Sequence, residues 1–486
     1  MSVRPAGLDD LHRSLSARFD DGASEMQEGT IVALPSITFP EAELRKIVAI
    51  ERYEERLLFL VLLLERPKLE LVYVTSLPVP AAAVDYYLSF TPDPEDARRR
   101  LHLFALDDPE PRALSAKLLE RPEVLDALAA TIADPDAAYL LPFNVTPAEA
   151  EIAERLGVPL YGPRPDLVVL GSKSGSRRVA RAAGVPILDG AEDIYSLAEL
   201  ERELEALHRR RPGMSAAVVK LNDGFSGQGN AIVRLDGYHI PIESSDTIFC
   251  APTESWSSFR TKIESEGCIV EELMRRPGVV SPSVQLRILP NGDPELLSTH
   301  DQILGDPDGQ VYLGCRFPAR REYRGSISEA AMRVARVLAE EGVIGSFGID
   351  FVLAPIDGSY EPFLSEINLR MGGTTHTFLM TRYASGGTYD PESGDLLVGG
   401  RRTCYVATDN LRSPGYAQLD PAQVIDALRS EGLAYDRAEH HGILLHLLGA
   451  LPGYGKLGAV CVATSMPEAE RLYEELLALL DELTWS

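Results

Sequence analysis

The segment Ser365-Glu366-Ile367-Asn368-Leu369-Arg370 alternates polar and apolar residues, so an extended strand would set Glu366, Asn368 and Arg370 on one face. Upstream, Gly348-Ile349-Asp350-Phe351-Val352-Leu353 is a second apolar-rich run, and Asp357-Gly358-Ser359 between the two is a hairpin signal. Pairing about that turn puts Asp350 opposite or diagonal to Glu366. Two carboxylates and an amide oxygen so placed suit magnesium, a hard cation that completes its shell with water and phosphate oxygens. Arg370 beside them would neutralise phosphate charge. Taken alone, a Glu-x-Asn match is more simply read as one exposed carboxylate on an edge strand.

Other segments carry compatible chemistry. Val218-Val219-Lys220-Leu221 leads into Asn222-Asp223-Gly224-Phe225-Ser226-Gly227-Gln228-Gly229-Asn230, a strand followed by a glycine-rich turn. Gly224, Ser226, Gly227 and Gly229 would let backbone N–H groups approach phosphate closely, and Lys220 adds a point charge; a plain flexible hairpin is the bland alternative. Lys173 opens a helix after Leu170-Gly171-Ser172, where its ammonium and the helix N-terminus could both address a phosphate. Glu271 and Glu272 end a strand on opposite faces, and either could bond an adenine amino group or ribose hydroxyls. Gln285 and Arg287 share a strand face, which makes Arg287 a candidate to steady a pentavalent phosphate or an acyl phosphate, with Arg316 a weaker one.

One decoy is rejected. Gly449-Ala450-Leu451-Pro452-Gly453-Tyr454-Gly455-Lys456-Leu457 approaches a phosphate-binding P-loop, but the glycine spacing is one residue too long and Leu457 replaces the hydroxyl that would ligand magnesium. Neither a Gly-x-Ser-x-Gly elbow nor a His-Glu-x-x-His zinc motif occurs.

The elements that must position these groups follow from patterning. At 486 residues the chain is long enough for about three domains. Runs at Gly29–Leu34, Leu69–Thr75 and 138–141, with helical stretches leading to Leu64, over 113–132 and over Pro147–Leu156, and a further strand at 158–162, predict a parallel α/β sheet covered by helices. From Gly171 the pattern changes to a helix over 173–183 and then to antiparallel hairpins, with strands at 218–221, 231–235, 268–273, 284–289, 348–353 and 362–368. Ser326-Ile327-Ser328-Glu329 reads as a capping box opening a helix. After the Gly/Ser-rich stretch 385–400, strands at 403–407, 443–448 and 459–462 and a closing helix capped by Ser465 make a small α+β segment. The expected division is 1–165, 166–390 and 391–486.

Composition narrows the partners. Against 47 Lys and Arg stand 73 Asp and Glu, a net charge of −26, which disfavours nucleic acid and anionic lipid. The longest apolar run, from Leu57 to Leu64, is far shorter than the roughly 20 residues that span a bilayer, so it is a buried strand or helix. Five scattered cysteines without Cys-x-x-Cys spacing fit a reducing compartment, and the expected location is cytoplasmic.

Taken in order, Lys173, Lys220 with its glycine-rich loop, Glu271-Glu272, Arg287, Asp350 and Glu366-x-Asn368-x-Arg370 resemble the ATP-grasp carboxylate-amine ligases. Asn368-Leu369-Arg370-Met371-Gly372-Gly373-Thr374-Thr375-His376, with an α/β domain before and a small domain after, is similar to the pheganomycin-type peptide ligases. The resemblance implies a pre-ATP-grasp domain, an ATP-grasp fold and a C-terminal domain. In its terms Lys173, Lys220 and the loop contact ATP phosphates, Glu271 or Glu272 engages adenine or ribose, and Asp350, Glu366 and Asn368 hold magnesium, two ions by expectation. Arg287 and Arg370 would stabilise an acyl phosphate formed from a small-molecule or peptide carboxylate, which an amine then converts to an amide. The resemblance leaves room for a homo-oligomer. A regulatory or scaffold protein that binds ATP without turnover is the rival reading, and a kinase-like or carboxylase-like use of the same fold is a third.

Overall fold

The computed structural model describes residues 7–19, 25–224, 229–235, 241–244, 246–251, 254–305, 311–356 and 358–485. β-Branched and apolar runs near the N-terminus form β1 (Gly29–Leu34), β2 (Leu69–Thr75), β3 (Leu101–Ala105) and β4 (Ala138–Pro142). They make a four-stranded parallel sheet in the order β3-β2-β1-β4, whose central strands are buried on both faces as a helix-covered parallel sheet requires. Helix Pro147–Leu156 begins at a capping box between Thr146 and Glu149 and ends at Gly157 in the left-handed region, φ 68°.

The Leu57 to Leu64 run lies in a 3₁₀ helix, Ile50–Glu65, which packs against helix Gly373–Ser385 and so ties the N-terminal segment to the centre. The helix expected over 113–132 is two, Leu114–Leu119 and Pro122–Thr131, because Pro122 cannot supply the backbone donor that would continue the first. The strand expected at 158–162 makes one isolated parallel bridge, Leu140 to Leu160.

The middle of the chain contributes β5 (Gly190–Ile194), β6 (Ala216–Leu221), β7 (Asn230–Arg234), β8 (Thr247–Phe249) and β9 (Cys268–Glu272), an antiparallel sheet in the order β5-β9-β6-β7-β8. Facing it is a larger sheet built on β10 (Pro282–Ile288), β11 (Pro294–Gly305), β12 (Val311–Phe317), β13 (Gly345–Ile356) and β14 (Ser359–Asn368). The following segment supplies β15 (Thr388–Asp390), β16 (Asp395–Val398) and β17 (Arg401–Arg412); β17 extends this sheet by pairing with β12 through Tyr405, Val406 and Ala407, and β16 and then β15 lie beyond it. The last strands, β18 (Gly442–His446) and β19 (Lys456–Ala463), attach to β17 through β19.

The capping box expected at Ser326 lies inside helix Arg321–Glu340, where Ser326 Oγ donates to Tyr323 O at 2.9 Å. The extra N-terminal turn is held by polar partners: Tyr323 Oη donates to Asp301 Oδ1 at 2.5 Å and Arg324 Nη1 to Asp395 Oδ1 at 2.7 Å. Among the described residues no helix is long and apolar enough to cross a membrane.

Candidate active site

β13 and β14 pair antiparallel with Asp350 directly opposite Glu366 and Gly348 opposite Asn368, which resolves the choice between opposite and diagonal. The next pair is Phe351 with Leu364, so Ser365 is an extra residue and the register shifts there. That bulge turns Ser365 to the same cleft as Glu366, where its Oγ accepts from Lys220 Nζ at 3.0 Å. Asp357 of the hairpin turn lies outside the described residues.

Asn368 Nδ2 donates to Asp350 Oδ2 at 3.1 Å and to Glu366 Oε1 at 2.9 Å, gathering three oxygen-bearing side chains at one point. Gln302 on β11, which the sequence patterning did not single out, donates to Asp350 Oδ1 at 2.7 Å. Lys173 Nζ pairs with Glu366 Oε2. Burial and the facing Glu366 carboxylate push Asp350 up; burial acts the same way on Glu366 but is outweighed by Lys173 and Lys220, which hold it well below the usual carboxylate range. Among the described residues no group of three or more His, Cys, Asp and Glu side chains forms a metal cage. Asn368 turns its amide nitrogen to the two carboxylates and its Oδ1 to Arg370. With the amide turned over, two carboxylates and an amide oxygen make an oxygen-only set that fits a hard divalent cation sharing its shell with phosphate.

Lys173 is placed by helix Lys173–Ala182, whose N-cap Ser172 Oγ accepts from Gly175 N at 3.0 Å. Its Nζ also reaches Gly224 O at 3.3 Å, joining the helix to the glycine-rich loop. The loop's neck is closed by Leu221 N donating to Gly229 O at 2.9 Å. A Cβ on Gly224 would lie 2.9 Å from the Gly229 Cα, so this crossing requires glycine. Ser226 and Gly227 lie outside the described residues.

Glu271 is 2% exposed and its carboxylate is divided between Lys220 Nζ at 2.7 Å and Arg177 Nη1 at 3.0 Å. Lys220 is raised: burial alone would lower it, but Glu271 and Glu366 overcome that. Glu272 is half-buried and faces the same cleft, with Arg211 Nε 3.7 Å from Oε2. Arg370 lines the cleft, donates from Nη2 to Asn368 Oδ1 at 2.8 Å and lies 5.8 Å from the Phe39 ring centroid.

Arg287 is not brought to this cleft. Its Nη2 is 2.7 Å from Glu295 Oε2 and 3.9 Å from Glu25 Oε1, and it lines a separate small cavity with Tyr139, Tyr161 and Tyr383. Gln285, two residues earlier on the same strand and opposite Gly348, does line the cleft, whereas Arg287 sits further along, opposite Ser346 and Glu295. Arg316 reaches the cleft edge, with Nε 2.9 Å from Glu470 Oε1.

The cleft has a volume of about 1430 Å³, enough for a nucleotide and further substrate, and its walls come from all three parts of the chain. Residues 167–248 and 245–391 match the family described as IQCH-like, ATP-grasp, and residues 423–476 match the PGM1 C-terminal domain. The chain is 31% identical over 468 residues to L-propargylglycine–L-glutamate ligase of Streptantibioticus cattleyicolor, covering 93% of this chain and 94% of that one.

The chain belongs to the ATP-grasp carboxylate-amine ligases.

A partial match, 24% identical, covers 48% of this ligase and 26% of IQ motif-containing protein H of Danio rerio. Among solved structures, biotin carboxylase of Campylobacter jejuni superposes with TM-score 0.56 at 15% identity, over 91% of this chain and 89% of that one. An ADP complex of N5-carboxyaminoimidazole ribonucleotide synthetase gives TM-score 0.54 at 13% identity over 93% and 97%. These likenesses agree with the expected sequence of pre-ATP-grasp domain, ATP-grasp fold and C-terminal domain. The ligase is an ATP-dependent enzyme forming a C–N bond.

Proposed function

We propose that this ligase joins a carboxylate to an amine through an acyl phosphate, with Asp350, Glu366 and Asn368 holding two magnesium ions against the ATP phosphates. The observation that carries the reading is the meeting of the Asp350 and Glu366 carboxylates with the Asn368 amide, across the β13–β14 pair, at a cleft lined by Lys220 and Arg370, with Lys173 paired to Glu366. Magnesium, when bound, offsets phosphate charge and polarises the γ-phosphoryl group.

The chain's own residues supply position and charge. Lys173 and Lys220 address the phosphates, Gly224 and Gly229 at the loop's neck close against them, and Glu272 is the more open carboxylate for ribose or adenine. A donor carboxylate oxygen bonds to the γ-phosphorus as the bond to the β-phosphate oxygen breaks, releasing ADP. Arg370 stabilises the resulting acyl phosphate; the amine nitrogen then bonds to the acyl carbon, the C–O bond to phosphate breaks, and the amine's proton is lost. Arg287 has no part in this, being paired with Glu295 away from the cleft. The name of the relative, which pairs L-propargylglycine with L-glutamate, supports amino acids as the substrate class.

The test is a screen of paired L-amino acids with ATP and magnesium, reading ADP release and product mass. Formation of a dipeptide with one ADP per bond is the expected result. ATP binding with no substrate-dependent ADP release would overturn the reading in favour of a scaffold without turnover.

A further inference from the structure

Beyond Arg370 the cleft continues into a group of side chains that the phosphate chemistry leaves unused. Arg56 comes from the 3₁₀ helix Ile50–Glu65, Asp409, Asn410 and Arg412 from β17, and Lys456 from the start of β19, and all five line the cleft. They meet because β17 and β19 pair with Arg412 opposite Lys456. Arg370 is within electrostatic reach of Arg56, so this group adjoins the phosphate-facing end.

The partners define what the group lacks. Arg56 is paired with the buried Asp409, and its guanidinium lies 4.2 Å from the Tyr53 ring centroid. Its Nε has no hydrogen-bond partner among the described residues. Lys456, 5% exposed, donates to Tyr53 Oη at 2.5 Å and to Asn410 Oδ1 at 3.0 Å, both neutral acceptors. Three cations thus face a single carboxylate, with Lys456 buried, Arg56 half-buried and Arg412 exposed at the rim. Burying the Lys456 ammonium beside neutral acceptors is costly, so an anionic group of the substrate is the natural complement to this surplus of positive charge.

We propose that Arg56, Arg412 and Lys456 bind the carboxylate of the amine-bearing substrate, making that substrate an α-amino acid, with Asp409 beside its ammonium. The inference rests on the carboxylate-amine ligase reading and adds a site to it. Amide formation consumes the donor's carboxylate at the phosphoryl group, so a second carboxylate site, displaced from the metal donors, serves the molecule that keeps its own. The flanking segments thereby gain a function, since helix Ile50–Glu65 and strands β17 and β19 build the acceptor pocket on the ATP-grasp.

The experiment uses the intact enzyme with ATP, magnesium and a panel of L-amino acids as donors, offering as acceptors L-amino acids without a side-chain carboxylate or their α-carboxamides, which cannot be donors. A parallel reaction with hydroxylamine traps the acyl phosphate as a hydroxamate. The expected result is hydroxamate formation, and a kcat/KM for amino-acid acceptors at least about 30-fold above that for the matching carboxamides, the range of a lost charge-assisted bond. Lys456→Met and, independently, Arg412→Ala should each shrink that ratio by about tenfold, with Lys456→Arg restoring it. Hydroxamate together with equal use of acids and carboxamides, or variants that keep the wild-type ratio, overturns the acceptor site alone. Absence of hydroxamate from every donor overturns the ligase reading and the site with it.

Discussion

Asp350 and Glu366 face each other as a directly opposed pair across β13 and β14, with the Asn368 amide donating to both. Asp350 is pushed up by desolvation and by the facing, half-buried Glu366 carboxylate, which repels it. Removing one donor from such a set should damage catalysis far more than folding. Glu366→Ala is expected to lower kcat by at least about a thousandfold, the scale of losing transition-state charge stabilisation, while the magnesium concentration for half-maximal ADP release rises. Turnover within about tenfold of wild type at saturating magnesium would remove Glu366 from the metal site.

Arg287, buried, and Arg370, half-buried at the cleft, provide a contrast. Arg370→Ala should lower kcat with the fold intact, because its guanidinium points into the cleft beside Asn368. Arg287→Ala leaves Glu295 and Glu25 without their buried partner. It is expected to cost about 3–5 kcal/mol of stability, read by denaturant unfolding, with kcat of the folded fraction close to wild type. A kcat collapse in Arg287→Ala without loss of stability would contradict the geometry.

Glu271 is an ion-pair hub. Its carboxylate spans Lys220 and Arg177, both buried, so Glu271→Ala should both lower the unfolding free energy by about 3 kcal/mol or more and raise the KM for ATP, by freeing Lys220. Glu272→Ala, at a half-buried site, should change the KM for ATP with stability within about 0.5 kcal/mol. Equal effects of the two on stability would refute their assignment to different roles.

Lys456 carries a pH prediction. Burial lowers its pKa to about 8, with Asp409 opposing and Arg56 and Arg412 reinforcing; Tyr53 and Asn410 are its neutral neighbours. A lowered lysine is charged below that value and neutral above it. The KM of an amino-acid acceptor should therefore rise as pH passes about 8, by about tenfold per unit once the ammonium is the minor form. Lys456→Arg should flatten the rise, since a guanidinium stays charged. A KM independent of pH from about 7 to about 9.5 in the wild type would exclude a charge-reading role for Lys456.

The glycine neck is the most local test. Gly224→Ala would bring a Cβ to 2.9 Å from the Gly229 Cα. The strand ends must part to admit it, and kcat/KM for ATP should fall by about tenfold or more, with part of the ADP released without product as water reaches the intermediate. Unchanged coupling of ADP to product would show that the neck is not part of the cover.

How much of this was legible in the sequence depends on the distance over which each feature is decided. Alternation alone placed Glu366, Asn368 and Arg370 on one face, and the hairpin brought Asp350 close, because strand periodicity and a tight turn act over a few residues. The same local rules gave β1, β2 and helix Pro147–Leu156 with correct bounds. Alternation misplaced Arg287, since it says which face of β10 a side chain takes but not how far along that face the cleft reaches: Gln285 lines it, whereas Arg287 meets Glu295 and Glu25 beyond its end. The bulge at Ser365, the contribution of Gln302 from β11 and the continuous sheet from β14 to β17 depend on pairings between distant segments, which no local pattern specifies. Lys456 shows the division most plainly: the sequence excluded its loop as a phosphate cradle on spacing alone, whereas only the pairing of β19 with β17, and the packing of helix Ile50–Glu65 beside them, placed its ammonium in the cleft.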